Sequence, residues 1–198
     1  MIILISFKSL SQEFEGEITY AISAKSKINI PAELLEMIGN KSIFITKKGA
    51  YKQITNSTFM ALQIYIPNEG KLYYKNNIES DTLLFKDVQK FENEVYEYEI
   101  VKNADTILGY VCDKLIQKSK SMQQDFYYNS SLRLNPIHFK NFTAFEKNKV
   151  SEIIKSLYLR SDVIYQNLVI SSVAVEIKRK EIDDIEFSLP QKQIIVKD

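Results

Sequence analysis

From residue 12 onward, apolar and polar residues alternate with a period of two, in short runs separated by turn residues. That is the pattern of strands whose successive side chains point to opposite faces of a sheet. Ile18, Tyr20 and Ile22 share one face of a first strand. "SIFIT", "KKG" and "AYKQIT" read as a hairpin turning near Gly49. In "MALQIYI", Met60, Leu62, Ile64 and Ile66 line one face. "PNEG" then marks a turn, with Pro67 suited to its first central position and Gly70 to its exit. "KLYYK", "TLLFK", "VYEYEIV", "DTILGYVCDKLIQKS" and "QQDFYYN" continue the meander. "DVIYQNLVISSVAVEIKRK" places Val173, Val175 and Ile177 on one face. "EIDDIEFSLP" closes the domain, and "QKQIIVKD" is a tail or a final strand.

Two segments break this period. "NIPAELLEMIGNK" predicts a short helix, with Pro31 at its first position, Gly39 and Asn40 at its end, and Leu34, Leu35 and Ile38 toward the core. Over residues 145 to 158, Val150, Ile153, Ile154 and Leu157 recur at helical spacing and predict a second, amphipathic helix. About ten strands at hairpin spacing plus two helices predict one mainly β domain over residues 12–198. Several strands, such as "IFI", "LYY", "LLF" and "FYY", carry large side chains on both faces, unlike a sheet with one wet face. The expected architecture is a curved antiparallel sheet of open half-barrel type that packs the two helices or encloses a cavity. Tyr65, Leu84 and Tyr127, opposite the principal faces of their strands, are the candidate lining for an apolar ligand.

The opening "MIILISFKSLSQEFEG" raises the question of export. An apolar run over residues 2–5 is followed by Ser9-Leu10-Ser11, a small-x-small pattern that signal peptidase reads. Residues 1–11 are therefore expected to be the remnant of a signal peptide, cleaved after Ser11; an edge strand "MIILISF" is the alternative. No cysteine follows the cleavage pattern, so no lipid anchor is implied.

Composition narrows the function classes. The net charge of +1 and the lack of a long block of one sign give no footprint for nucleic acid. No run approaches the roughly 18 apolar residues of a membrane span. Only five glycines are present, too few and too scattered for a phosphate-cradling loop, so no cofactor is expected. Cys112 is the single cysteine and rules out an intramolecular disulfide. A buried structural thiol is the expectation for it; a Cys112–His138 nucleophile is the catalytic reading. His138 is the only histidine, and "NPIHF" has no second ligand at metal spacing. Asp183, Asp184 and Glu186 form the densest acidic cluster, read as a solvated turn rather than an acid–base pair. No G-x-S-x-G elbow occurs. No catalytic or metal residue is assigned, and an enzyme is not expected.

Local motifs add a resemblance. "ILGYVCDKLI" carries Ile107, Gly109, Tyr110, Cys112 and Lys114 in the order I-x-G-Y-x-C-x-K. "LNPIHF" carries Asn135, Pro136 and Phe139, and "VEIKRKEIDDIEFSLP" carries Asp183, Asp184, Phe187 and Pro190. With "EFEGEITY" as a first mature strand, these segments resemble the GLPGLI-type family of secreted bacterial β-rich proteins over residues 13 to 190. The Gly-Leu-Pro-Gly-Leu-Ile segment that names the family is absent, and residues 137 to 160 hold helical sequence instead. The resemblance implies export to the periplasm or the outer-membrane surface of a Gram-negative bacterium. It implies no established activity, and the motif residues look structural. The function expected on this basis is a non-enzymatic exported envelope protein binding a lipid or other apolar ligand, by analogy with the architecture of lipoprotein carriers. An envelope protein–protein interaction module without a cavity is the alternative, and a hydrolase the third reading.

Overall fold

The computed structural model describes residues 12–89, 96–191 and 193–198, so the cleavage expectation for residues 1–11 lies outside the described residues. The strands are β1 (Gly16–Ser26), β2 (Lys41–Lys47), β3 (Ala50–Thr55), β4 (Leu62–Ile66), β5 (Lys71–Lys75), β6 (Thr82–Asp87), β7 (Glu97–Ile107), β8 (Tyr110–Lys118), β9 (Gln123–Arg133), β10 (Ser156–Ile164), β11 (Leu168–Arg179) and β12 (Ile194–Lys197). They form one 12-stranded sheet in the order β12-β6-β5-β4-β3-β2-β1-β11-β10-β9-β8-β7. The two ends do not pair with each other, so the sheet is open. Every pairing is antiparallel except that of β12 with β6, which is parallel. The tail "QKQIIVKD" thus supplies a strand, but not an antiparallel one.

Hairpin geometry explains where strands end. At the β2–β3 turn Lys48 and Gly49 have φ of 48° and 79°, the double left-handed pair of a tight hairpin. A Cβ on Gly49 would also lie 2.2 Å from that of His138, so only glycine fits there. Gly109 follows Leu108 in the same conformation between β7 and β8, with nothing within 4 Å of a Cβ, so its role is conformational alone. This turn divides "DTILGYVCDKLIQKS" between two strands.

Two helix expectations need correction. Helix α1 (Ala32–Glu36) forms but buries no residue, and Leu34 is exposed. It is a surface turn of helix, not a packed one. The second helix, α2 (Lys147–Ile154), ends earlier than its apolar spacing suggests. Lys155 adopts a left-handed conformation that stops it. The Ser156 hydroxyl then donates to main-chain carbonyls of Asn129 and Leu132, and Leu157 belongs to β10.

Register defines two faces. Tyr20, Phe44, Gln53, Gln63 and Tyr65 fall on one, the inner face, as paired residues across β1 to β4. The chain between β9 and β10 crosses this face as two 3-10 turns, Pro136–Phe139 and Ala144–Glu146, followed by α2. Its Phe139 and Phe142 pack against Tyr65, at ring separations of 5.5 and 4.9 Å. Val150 and Ile154 of α2 pack on Leu115, Phe126 and Tyr128. On the outer face, Leu62, Ile64, Tyr73 and Leu83 form one cluster, and Ile45, Ile182 and Phe187 another. Both faces are covered in part, which is why apolar residues appear on both sides of these strands.

Candidate functional site: a cavity under the crossing segment

Between the inner face and the crossing segment lies a cavity of about 270 Å³. Gln63 of β4 and Phe126 of β9 both line it. Six strand spacings separate those strands, about 29 Å in a flat sheet at roughly 4.8 Å per strand. One cavity of this size touches both because the sheet bends around the crossing segment. The walls are mainly aromatic rings and aliphatic side chains, among them Tyr20, Phe44, Tyr51, Phe142 and Leu157, with the amides of Gln53, Gln63 and Gln124 also in the lining.

The polar groups in this wall stand out. Lys147 begins α2, and its ammonium lies 5.7 Å from the centre of the Phe139 ring and 5.3 Å from that of Tyr158. These are cation–π contacts. Among the described residues it has no carboxylate partner and no hydrogen bond. Burial pulls its pKa from 10.5 down to about 8. One helical turn on, the Ser151 hydroxyl is buried in the wall and has no hydrogen-bond partner among the described residues. The phenols of Tyr20, Tyr51 and Tyr158 are all pushed up by burial and stay neutral. The Tyr20 hydroxyl donates to the Tyr158 carbonyl at 2.8 Å. Among the described residues no His, Cys, Asp and Glu cluster could hold a metal. What the arrangement can do is enclose a mostly apolar molecule with one cation at its edge.

The three candidate lining residues fall elsewhere. Tyr65 is on the inner face but one layer back, stacked on Phe139, with its hydroxyl donating to the His138 carbonyl at 3.1 Å. Leu84 is on the same face by register, yet lies beside the edge strand, opposite Tyr74 and Val196. Tyr127 is on the outer face, between Lys114 and Arg160, whose charges sit 5.6 and 4.7 Å from its ring. None of the three lines the cavity. Alternation separates the two faces but does not say at which strands a sheet bends.

The motif residues hold the frame. Cys112 is fully buried, its thiol pushed up by burial, and it points its hydrogen at the Tyr110 carbonyl. Lys114 pairs with Asp125 at 3.3 Å. Asn135 caps the first 3-10 turn by accepting from the Ile137 N–H, with Pro136 at its first position. Phe139 of that turn is a cavity wall. Asp183 caps the 3-10 turn Asp184–Phe187, and Asp184 pairs with Lys47 at 2.8 Å. Phe187 is buried against Ile45 on the outer face, and Pro190 is half-buried after it. The acidic cluster is an exposed, capped 3-10 turn between β11 and β12. His138 pairs with Glu13 at 3.1 Å, while the Cys112 thiol is engaged by the Tyr110 carbonyl.

Sequence reasoning missed Lys147 and Ser151. The signal was present: they precede and accompany Val150 and Ile154 at i+3 and i+7, so both lie on the apolar stripe of α2.

No protein-family model and no curated protein matches the chain. Among solved structures, PNGF-II is similar over 93% of this chain, with a TM-score of 0.53 and 16% identity. The chain spans about a third of PNGF-II, 32% of its length. The lipoprotein LppX of Mycobacterium tuberculosis aligns over 85% of this chain and 89% of its own, with a TM-score of 0.34 and 8% identity. The PNGF-II likeness is one of fold, and the LppX likeness is too slight to carry an argument. Among the described residues, no helix is long and apolar enough to cross a membrane.

Proposed function

We propose that this protein is a non-enzymatic binding protein of the bacterial envelope that holds an apolar small molecule beneath the crossing segment. The observation that carries the reading is the cavity of about 270 Å³, walled largely by aromatic rings, between the inner face and the crossing segment. Its size approaches the roughly 300 Å³ at which ligand pockets begin. The envelope location rests on the Ser9-Leu10-Ser11 pattern and on the resemblance to GLPGLI-type proteins. A solvatochromic probe added to the purified protein tests binding. Saturable fluorescence that a Phe142→Trp change suppresses by filling the space supports the reading; unsaturable or absent signal refutes it.

One observation favours the alternative, an interaction module. The edge strand β12 exposes Ile194, Ile195 and Val196 in a row. An exposed apolar edge is a template for a partner strand. In that reading, protein partners are captured through β12 and no small molecule binds.

A further inference from the structure

We propose that the ligand of this cavity is a single-chain amphiphile with a carboxylate head, held by the ammonium of Lys147. The proposal rests on the reading that the cavity binds an apolar molecule. A buried or half-buried ammonium is normally paired, because an isolated charge away from water is costly. Other lysines near the core of this protein obey that rule: Lys114 pairs with Asp125, and Lys75 donates to the carbonyls of Ile78 and Ser80. Lys147 is the lysine that lines the cavity, and among the described residues two aromatic faces are the neighbours of opposite polarity its ammonium has. The neighbouring carboxylate does not serve it. Glu146 instead accepts from the Tyr98 hydroxyl and pairs with Lys149 at 2.5 Å. The unpartnered Ser151 hydroxyl on the same helix is a ready second donor.

The charge count identifies the head. One ammonium balances one carboxylate. A phosphate monoester carries about −1.5 to −2 at neutral pH and would leave charge uncompensated among the rings. An uncharged head would leave the ammonium unpaired. The size of the cavity, about 270 Å³, argues for one chain rather than two.

The test compares decanoate, decanol and decyl phosphate by isothermal titration calorimetry at pH 7, on the full chain. Decanoate is expected to bind about 10- to 100-fold tighter than decanol, the range of one charge-assisted hydrogen bond. In Lys147→Met the two affinities should converge. Lys149→Met, on the exposed side of α2, should keep the preference. Equal affinity in the wild type, a preference that survives Lys147→Met, or decyl phosphate binding tighter than decanoate would each overturn the proposal while leaving an apolar site in place. If none of the three binds, the apolar reading fails as well.

Discussion

Two places on opposite faces of the sheet treat charge withdrawn from water differently. On the outer face of β8 to β10, Asp125 and Asp162 lie directly opposite each other, each only 5% exposed. Two like charges so placed repel. Each is answered: Lys114 pairs with Asp125 at 3.3 Å, and Arg160 with Asp162 at 2.7 Å. Arg160 also reaches Asp105 at 3.1 Å and lies over the Tyr127 ring. Its hydrogen bond to Asp162 holds its pKa up despite burial. On the inner face Lys147 has two rings and an empty space. The paired set ties four strands together, β7 to β10. A desolvated cation without an anionic partner destabilises its own surroundings.

Mutations should separate the two places by sign. Arg160→Met leaves Asp162 buried without its partner. It should cost about 3–5 kcal/mol in urea unfolding, the usual result of breaking a buried pair. Leu157→Ala enlarges the cavity from its β10 wall and should cost roughly 2–5 kcal/mol. Lys147→Met should do the opposite, stabilising the ligand-free protein by about 1–3 kcal/mol, because it removes a desolvated charge and keeps the packing volume. A loss of stability on Lys147→Met would erase the contrast.

The same charge should also show itself as a pH dependence. The unfolded chain binds the Lys147 proton up to its ordinary value of 10.5, the folded chain only to about 8. Between those values the unfolded state holds more protons, so stability should rise with pH there. The wild type minus Lys147→Met difference isolates this group, since all other titrations cancel. A flat difference across that window would mean the ammonium is solvated or paired.

Much of the frame can be read from residue pattern alone. Alternation locates β1 to β6 and the hairpins at Gly49 and Gly70, because a period of two and a turn residue are local properties. The helix at α2 is visible for the same reason, through Val150 and Ile154. What is decided by distant contacts is not legible. Leu157 fits the helical spacing, but Lys155 turns left-handed and Ser156 is held by carbonyls of Asn129 and Leu132, so the chain re-enters the sheet. Leu34 has the spacing of a buried residue, yet the short α1 finds no surface to pack on. The parallel pairing of Ile194–Lys197 with β6 depends on where the tail lands. The cavity depends on the bend of the sheet, which no single strand encodes. Thus Tyr65 lies one layer behind the cavity wall, stacked on Phe139, whereas Tyr127 lies across the sheet from it.

The central claim is that the space beside Lys147 is a ligand site. Native mass spectrometry of the protein purified from its own host tests it most directly. The account predicts a population heavier than the bare chain by the mass of one small molecule, released on denaturation and seen as an anion in negative mode. A bare mass under the gentlest conditions that keep the chain folded would contradict it.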